Sequence, residues 1–281
     1  MPQLKFIPAL LLLVCSLFSQ STVAADTPDA QYIAELFLAA QKSATHFPDV
    51  IRINPDLDES LLYDIQRRFV RLQVENGSTI GGYKGGFIPK SPTGGVLFVD
   101  GILRGSPTIE RANFQGLLVE AEIAFRLCQP LSTPLANVTE LKSLTCEIYP
   151  AIELPDAALP DLGQLRNNFA HLRRLLIPTN MAVSHVLLGA GMNPGDLDLD
   201  HLNVKLELDG EEFAYRDGAT STDDIWSRVL WVINEFVLPN SYTISPDHFI
   251  IPGSLTGLHP GKPGNYRIDY GALGTVEFKV R

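Results

Sequence analysis

The chain has 281 residues, of which 45% are hydrophobic and 19% charged, and its formal net charge is −10. An acidic chain without a basic stripe lacks the charge pattern of a nucleic-acid-binding protein, so we exclude nucleic acid as a partner. The length is sufficient for one large hydrophobic core, or for a core domain with a small helical cap.

Residues 1–25 have the pattern of a cleavable export signal. Lys5 precedes an apolar stretch over residues 7–18, and the segment ends in the small residues Ala24 and Ala25. We expect cleavage after one of these two alanines, and therefore an exported, periplasmic protein. The apolar stretch is shorter than the ~20 residues that a spanning helix needs, so we expect no membrane span after cleavage.

Residues 26–78 are predicted to form an N-terminal helical region. The pattern indicates a helix over residues 29–45 and a clearer one over residues 58–76, which Gly77 would end. The second predicted helix carries one apolar stripe, formed by Leu61, Ile65, Phe69 and Leu72.

Residues 79–281 are dominated by predicted strands. These cover residues 95–99, 117–127, 148–154, 183–188, 204–208, 248–251, 266–270 and 275–280, and residues 271–274 join the last two as a hairpin. One further helix is predicted over residues 223–237, with Ser221 or Thr222 as its N-cap. This order of elements predicts a mixed α+β fold with an antiparallel-rich β core and an N-terminal helical layer.

The predicted strand over residues 117–127 carries two glutamates on one face. Apolar and polar side chains alternate along it, which is the period-two pattern of a strand. Glu120 and Glu122 therefore point the same way, with their Cα atoms only ~7 Å apart. In a helix, two side chains at this spacing would diverge by about 200°.

A third acid, Glu153, closes the apolar run over residues 148–154 and lies 31 residues after Glu122. The intervening chain is long enough to return beside the first strand, so the three carboxylates could converge. Two such charges 4 Å apart repel by roughly 4 kcal/mol, so converging acids need raised pKa values or a cation. An all-oxygen ligand set favours Mg²⁺ or Mn²⁺. The sequence leaves a second interpretation open, namely three solvated acids on an exposed sheet face.

Two cysteines flank the acidic segments. Cys128 follows Glu122 by six residues, and Cys146 precedes Glu153 by seven. In an oxidising compartment they could form a disulfide that closes a loop of about 19 residues and contributes roughly 3 kcal/mol. Two buried free thiols are the alternative, because the sequence does not give the Cα–Cα distance that decides between them.

Six motifs follow one another in a characteristic order. They are Gly82-Tyr83-Lys84-Gly85-Gly86, Val96-Leu97-Phe98-Val99-Asp100, the segment from Val119 to Phe125, Pro150-Ala151-Ile152-Glu153, Gly253-Ser254-Leu255-Thr256-Gly257, and the ending from Gly271 to Phe278. This order resembles that of the 2-keto-4-pentenoate hydratase group of the fumarylacetoacetate hydrolase superfamily. The resemblance extends from about residue 30 to the end of the chain. Its most specific parts are the Glu-x-Glu strand with its spaced third acid, and the Lys84 segment.

The resemblance implies three kinds of functional residue: metal ligands, an active-site lysine and contacts to the substrate carboxylate. The implied metal ligands are Glu120, Glu122 and Glu153. The implied active-site lysine is Lys84, and the implied contacts to the substrate carboxylate are Ser254 and Thr256. It also implies that residues 79–281 form a catalytic domain with the sheet-rich fold of the fumarylacetoacetate hydrolase C-terminal type, and that the protein is a homo-oligomer.

The implied reaction is the Mg²⁺- or Mn²⁺-dependent addition of water to a small 2-oxo or 2-hydroxydienoic acid. Such an acid can chelate the ion through its carboxylate and its 2-oxygen, and the ion then stabilises the enolate that forms when protons move along the carbon chain. Lys84 would shuttle or position these protons. A nearby cation and partial desolvation are expected to lower the pKa of Lys84 towards neutrality.

Three other functions stay open. They are a hydrolase of the same superfamily, a decarboxylase of a 2-oxo acid, and an exported protein that binds an oxo acid without turnover. The segment between Lys84 and Phe98 has only 13 residues, fewer than in the hydratase group, which is the main support for the non-catalytic function. The hydrolase is less favoured, because no His/Glu pair lies near Lys84 in the sequence.

Overall fold

A computed structural model describes residues 29–87, 91–160, 163, 167–195, 197–220 and 224–281. The predicted export signal over residues 1–25 lies outside the described residues. Within them, no helix combines the length and the hydrophobicity needed to cross a membrane.

The N-terminal helices begin at aspartate caps. These helices are α1 (Ala30–Lys42), α2 (Val50–Ile53) and α3 (Glu59–Glu75). The side chains of Asp29, Asp49 and Asp58 each accept a hydrogen bond from a first-turn backbone N–H, which satisfies a donor that the helix leaves unpaired. The two long helices predicted from the sequence are confirmed with slightly shorter bounds. Gly77 follows α3 in the left-handed region, with φ at 103°.

The buried face of α3 is broader than its predicted stripe. Ile65 and Phe69 are buried, and Leu61 and Leu72 are half-buried and pack against the same apolar cluster, so the predicted stripe is confirmed. A second row of side chains on α3 is buried as well. The reason is that α3 packs between α1 and the main sheet, which covers a second row of side chains. That row consists of Leu62, Gln66, Val70 and Gln73.

Two sheets form the body of the molecule. In chain order the strands are β1 (Ile80–Phe87), β2 (Pro92–Phe98), β3 (Ile102–Arg104), β4 (Thr108–Ile109), β5 (Leu118–Leu127), β6 (Thr145–Leu154), β7 (His185–Leu188), β8 (Val204–Leu208), β9 (Glu211–Arg216), β10 (Phe249–Ile251), β11 (His259–Pro260), β12 (Gly264–Asp269) and β13 (Thr275–Val280). The main sheet has the order β2-β1-β10-β5-β6-β7-β3, and β11 also pairs with β5. The second sheet has the order β4-β13-β12-β8-β9.

Most neighbouring strands are antiparallel, and the parallel pairs are β1 with β10, β3 with β7, and β4 with β13. Together with the helical layer, this confirms the predicted antiparallel-rich α+β class. The predicted strands all form within a few residues of their expected bounds, and residues 271–274 turn the chain between β12 and β13 as expected.

The remaining described helices are α4 (Val138–Leu144), α5 (Phe169–Leu176) and α6 (Ile225–Trp231), which continues as a π-helical turn over Val232–Val237. The helix predicted over residues 223–237 is confirmed, and the side chains of Ile225, Val229, Ile233 and Val237, which recur every four residues, are all fully buried. The predicted N-cap is wrong. Asp224 caps the helix by accepting a hydrogen bond from the Ser227 N–H at 2.9 Å, whereas Ser221 and Thr222 lie outside the described residues.

Two of the three apolar clusters among the described residues hold these layers together. The larger one joins both sheets to α6, and its Phe125 and Trp226 rings meet edge to face with centroids 5.0 Å apart. The second cluster joins α1, α3 and α5 and extends to Leu118 of β5 and to Met181. The helical layer thus reaches the sheet at the strand that carries the two glutamates.

Close contact between β1 and β10 fixes the position of Lys84. A Cβ atom at Gly82 would lie 1.9 Å from the carbonyl oxygen of Phe249, and the φ of Gly82 is 153°, so only glycine fits there. The parallel pairing that follows places Lys84 opposite Ile251.

A disulfide joins Cys128 to Cys146, with their Cα atoms 5.0 Å apart. It closes the connection between β5 and β6, which contains α4. The open choice between a disulfide and two free thiols is therefore resolved in favour of the disulfide in this structure.

We predict that the double substitution Cys128→Ser/Cys146→Ser lowers the free energy of unfolding by roughly 2–3 kcal/mol, because the unfolded chain regains the entropy of a loop of this length. Chemical denaturation monitored by circular dichroism measures the change. Wild-type protein in a reducing agent serves as the matched control and should unfold like the double variant. Equal stability of the oxidised wild type and the double variant would contradict the prediction.

Candidate metal centre

Three carboxylates converge on the main sheet. Glu120 and Glu122 lie on one face of β5, and Glu153 of β6 is the direct cross-strand partner of Glu120 in the antiparallel register. One oxygen from each of the three side chains lies within 4.8 Å of the other two. In the part of the chain that the structure describes, this is the one group of three or more acidic, histidine or cysteine side chains with such spacing.

The three glutamates are buried. Glu120 is 8% exposed, and Glu122 and Glu153 are each 1% exposed. The alternative of three solvated acids on an open sheet face is therefore excluded. The strand pattern suggested one exposed face, but β5 is covered on both faces, because the core lies on one side and the helical layer with Met181 lies on the other.

Each of the two most buried glutamates has one carboxylate oxygen bonded to the protein and one oxygen without a protein partner. Glu122 Oε2 accepts a hydrogen bond from the Gly253 N–H at 2.9 Å, and Glu153 Oε1 is bonded to Lys84. Glu122 Oε1 and Glu153 Oε2 are buried without a hydrogen-bond donor. A buried carboxylate oxygen without a partner carries a large desolvation penalty, which a cation would remove. The triad therefore fits a divalent ion, and its all-oxygen donors suit a hard one.

The raised pKa values of the glutamates in the metal-free triad also indicate a cation site. Burial, followed by the neighbouring charge of Glu153, raises the pKa of Glu120 to about 8. Burial and the charges of Glu153 and Glu120 raise the pKa of Glu122 well above its usual range. Without a cation, the folded protein thus holds protons on these glutamates at a pH where free glutamates are ionised.

Lys84 is buried beside the triad. Its ammonium group donates a hydrogen bond directly to Glu153 Oε1, and the carbonyl oxygen of Met181 lies 3.4 Å from the same nitrogen. The side chain is 5% exposed. A buried ammonium in contact with a carboxylate is held in one position, which is what a proton-transferring group requires.

The expected lowering of the Lys84 pKa is wrong for the metal-free protein. Desolvation is the largest single effect and does lower this pKa, but the charges of Glu153, Glu120 and Glu122 together with the Glu153 hydrogen bond outweigh it and raise the pKa overall. The expectation included the charge of a bound cation, which is the contribution that would oppose these carboxylates.

A strained segment supports Lys84 and was not identified as functional from the sequence. Asn180, Met181 and Ala182 all have positive φ, between 54° and 56°, although none is glycine. The Asn180 side chain holds the segment by accepting a hydrogen bond from the Val96 N–H at 2.8 Å and donating one to the Val96 carbonyl at 2.9 Å. The turn aims the Met181 carbonyl at Lys84. The asparagine was the available signal, because this residue type tolerates the left-handed region.

The loop between β10 and β11 brings Ser254 to the site. Both strands pair with β5, and the Leu255 N–H donates a hydrogen bond to the Ala121 carbonyl between them at 2.8 Å. Ser254 lines the cavity beside the triad. Thr256, the other predicted substrate contact, lies outside the lining, and its hydroxyl is buried without a hydrogen-bond partner. The structure thus brings Ser254, but not Thr256, to the cavity surface.

A cavity of about 210 Å³ opens above Lys84, Glu120 and Glu122. Its walls are mainly apolar and come from β1, from the helical layer and from the loop after β10. They include Phe87, Leu118, Leu172, Leu176, Met181 and Leu258, together with Arg228 of α6. The contributions of Phe87, Met181 and Arg228 were missed from the sequence, because nothing in their local pattern separates a cavity wall from ordinary core.

No protein-family model matches the chain. The chain is 26% identical over 267 residues to 2-oxo-hept-4-ene-1,7-dioate hydratase of Escherichia coli, covering 87% of this chain and 95% of that relative. It is 24% identical over 255 residues to 4-oxalocrotonate decarboxylase of Pseudomonas sp. (strain CF600), covering 87% and 94% of the two chains.

Solved structures share the fold. The 4-oxalocrotonate decarboxylase of Pseudomonas putida G7, complexed with magnesium and adipate, superposes with a TM-score of 0.79 at 20% identity, over 90% of this chain and 97% of that one. A protein of Yersinia pestis CO92 that is provisionally assigned to the fumarylacetoacetate hydrolase family gives a TM-score of 0.55 at 13% identity, over 73% and 94%.

The chain is thus similar over most of its length to a hydratase and to a decarboxylase, and it shares the fold of a fumarylacetoacetate hydrolase family structure. This confirms the resemblance stated from the sequence, including its closeness to the hydratase group, and it confirms the predicted fold. The magnesium in the P. putida structure belongs to that protein. In the present chain, the buried triad provides a site that can hold an ion of the same kind.

We predict that Glu153→Gln weakens Mg²⁺ binding at least about 100-fold, because even indirect partners of metal ligands change affinity by 10–100-fold. Isothermal titration calorimetry on metal-stripped protein measures the affinity. Glu147→Gln is the matched control, since Glu147 lies on the same strand but pairs with Arg126. Unchanged affinity in the Glu153 variant would rule out this ligand.

We predict that the metal-free protein loses stability as the pH rises from about 4.5 to about 8. The Glu120 carboxyl has a pKa of about 8 in the folded protein and 4.5 in its usual state, so the folded state binds more protons throughout this window. The pKa of Lys84 is raised from 10.5, so its own contribution is lost only at higher pH.

Thermal unfolding in EDTA should show the melting temperature falling across this window, and Mg²⁺ should restore it most strongly at pH 8. At a Mg²⁺ concentration about 100 times Kd, binding of Mg²⁺ to the folded state raises the free energy of unfolding by ~2.7 kcal/mol. For a chain of this size, this corresponds to a rise in the melting temperature of about 5–10 °C. A Mg²⁺ effect that is equal at pH 5 and pH 8 would contradict the prediction.

Proposed function

We propose that the protein is a metal-dependent hydratase that adds water to a small 2-hydroxy-2,4-dienoic or 2-oxo-4-enoic acid. The observation that carries this proposal is the contact between Lys84 and Glu153 at the base of the cavity. A held proton donor thereby lies beside a site for a divalent ion, and both face a space of the size of a small organic acid.

In the proposed site, the ion and the protein side chains have different roles. A divalent ion held by Glu120, Glu122 and Glu153 would supply charge that stabilises a chelated carboxylate and 2-oxygen. Ser254 orients the substrate from the cavity wall, and the apolar wall, including Leu172 and Met181, excludes bulk water and strengthens local electrostatic interactions.

Lys84 has the position of the proton-transferring group. Hydration of a 2-hydroxy-2,4-dienoate first requires loss of the C2 hydroxyl proton and arrival of a proton at C5, which leaves a 2-oxo-3-enoate. Water then adds across the C3–C4 double bond, with its hydroxyl at C4 and its proton at C3, to give a 4-hydroxy-2-oxo acid. The Met181 carbonyl and Glu153 keep the Lys84 nitrogen in place for these transfers.

The relatives support this reaction class without fixing it. The E. coli relative is a hydratase, and the Pseudomonas relative is a decarboxylase of similar identity. Decarboxylation of a 2-oxo diacid is therefore the second candidate. It uses the same site, because loss of CO₂ also leaves an enolate that a chelated ion stabilises.

Hydrolysis and passive binding are less well supported. Among the described residues that line the cavity there is no histidine. His259, which begins β11 after the loop that carries Ser254, hydrogen-bonds the Thr256 carbonyl at 3.0 Å and lies outside the lining. A protein that only binds the acid needs no buried lysine in contact with a metal ligand.

Two further expectations remain part of the proposal, namely export to the periplasm and assembly into a homo-oligomer. The signal pattern over residues 1–25 and the Cys128–Cys146 disulfide support export, because disulfides persist in oxidising compartments.

We predict that Lys84→Met lowers the turnover of 2-hydroxypenta-2,4-dienoate with Mg²⁺ by about 10²–10⁴-fold, the usual contribution of a general acid–base group. Loss of dienol absorbance measures hydration. The same variant should bind Mg²⁺ at least as tightly as the wild type, because a positive charge beside the carboxylates is removed.

Lys262→Met is the control, since Lys262 lies outside the cavity lining. Full turnover in the Lys84 variant would remove this lysine from the mechanism. Release of CO₂ from 2-oxohex-3-enedioate, without dienol hydration, would favour the decarboxylase. Mg²⁺-dependent binding of these acids without any turnover would leave only the binding protein.

A further inference from the structure

We propose that a second cavity, behind the left-handed turn at Asn180 to Ala182, binds a small neutral polyol. This cavity is separate from the one above the metal centre, and polyol binding there is independent of the proposed hydratase reaction. The polyol has no part in the chemical step.

The second cavity has a volume of about 180 Å³ and lies between the helical layer and the segments that flank the metal strands. Gln41 of α1 and Gln73 of α3 line it on one side. Asn113, which precedes β5, and Asp156, which follows β6, line it on the other. Ala182 lines both this cavity and the one above the metal centre, so the left-handed turn forms part of the wall between them.

The charge of the lining excludes an anionic ligand. Most of the described lining residues have amide or hydroxyl side chains, and Asp156 is the one among them with an ionisable side chain. Its Oδ1 atom accepts a hydrogen bond from the Gly116 N–H at 2.7 Å. An anion in this cavity would therefore lie near a carboxylate, with no cationic side chain in the described lining to compensate its charge.

Gln73 shows that the ligand must supply an oxygen acceptor. This side chain is buried, with the residue only 7% exposed. Its Oε1 atom accepts a hydrogen bond from Gln41 Nε2 at 3.2 Å, whereas its Nε2 atom is buried without an acceptor. A buried donor without a partner destabilises the folded protein, and a ligand oxygen would remove that cost. A cationic ligand such as a polyamine offers hydrogen-bond donors only, so it leaves the Gln73 donor unpaired.

Two threonines show that the ligand must also donate hydrogen bonds. Thr179 Oγ1 donates to the Leu175 carbonyl at 2.8 Å, and Thr45 Oγ1 donates to the Ala40 carbonyl at 3.4 Å. With their protons engaged, both hydroxyl oxygens present lone pairs as acceptors. The lining thus offers a donor from Gln73 and acceptors from the threonines. A ligand hydroxyl serves both kinds of group, and several hydroxyls on one small molecule serve them together.

The apolar part of the lining suits the carbon chain of such a molecule. Phe47 and Phe69 line the cavity, and their rings meet edge to face with centroids 5.9 Å apart. The C–H groups of a polyol can pack against these rings while its hydroxyls bond to the polar side chains. Gln41, Thr45 and Asn113 are exposed, so the cavity opens to solvent on their side.

Four-carbon compounds test the roles of charge and of hydroxyl groups separately. Erythritol is the neutral polyol, tartrate is an anion, 1,4-diaminobutane is a cation, and 1,4-butanediol lacks the inner hydroxyls. Glycerol, xylitol and sorbitol extend the polyol series to shorter and longer chains. Saturation-transfer NMR titrations on the full chain in EDTA measure the affinities. Binding is assigned to the second cavity only where Thr45→Phe removes it, because a phenylalanine at this exposed position would close the entrance.

We expect at least one polyol to bind with a Kd in the millimolar range, on the order of the affinity that so small a ligand can reach. The other three four-carbon compounds should bind at this cavity at least about 10-fold more weakly, the equivalent of one or two lost hydrogen bonds.

The variant Gln73→Leu should also weaken polyol binding about 10-fold or more, because the ligand loses its donor. Its melting temperature should equal or exceed that of the wild type, since the substitution removes a buried amide nitrogen without a partner. A variant that had merely lost its fold would instead melt at a lower temperature. Gln129→Leu is the matched control, because Gln129 is exposed and lies outside the lining, and it should bind polyols like the wild type.

Three outcomes would overturn the inference. The first is that none of the four polyols binds, which would leave the cavity to water alone. The second is wild-type affinity in either Gln73→Leu or Thr45→Phe, which would place the polyol elsewhere. The third is binding of tartrate, 1,4-diaminobutane or 1,4-butanediol in this cavity as tightly as the best polyol, which would reject the ligand class. Because these titrations involve neither metal nor turnover, their result stands whether or not the protein hydrates dienols.

Discussion

The pairing register of β5 with β6 is the constraint on which the site depends. It places Glu153 directly opposite Glu120, and the alternation along β5 adds Glu122 on the same face. A shift of one residue in this register would turn Glu153 to the opposite face of the sheet and disperse the triad. The core on one side and the helical layer on the other then bury all three carboxylates, so the folded chain carries a local electrostatic cost that a cation offsets.

Other features of the fold lower the electrostatic cost of burying these carboxylates or support the residues that do so. Lys84 supplies one positive charge from β1, and the close contact at Gly82 fixes the strand that carries it. The Gly253 N–H supplies a neutral donor from the loop after β10. The left-handed turn at Asn180 to Ala182 is strained, and it is retained where the Met181 carbonyl faces the lysine. Strain and buried charge thus coincide at one place, as is common at functional sites.

The sequence predicts the parts of this arrangement that depend on local side-chain periodicity. It does not predict the parts that depend on contacts between elements distant in the sequence. Alternation along residues 117–127 was enough to place Glu120 and Glu122 on one face, because a strand has a fixed side-chain period. The convergence of Glu153 depends on register, and its burial depends on a helical layer distant in the sequence, so spacing left both open. The stripe of α3 was predicted correctly, but the second buried row was missed for the same reason, since helical periodicity reveals one packed face but not a second. Arg228 and Phe87 could not be assigned to the cavity, because their meeting requires α6 to cross β1.

The disulfide has a consequence for the integrity of the site. Cys128 lies just after β5 and Cys146 near the start of β6, so the bond encloses the whole linking segment, including α4. Residues 128–130, 132–134, 136, 137, 139, 140, 142 and 143 of this segment are exposed. If a protease cut the backbone there, the two halves would remain covalently joined, and all three acidic ligands would still be carried by one connected molecule.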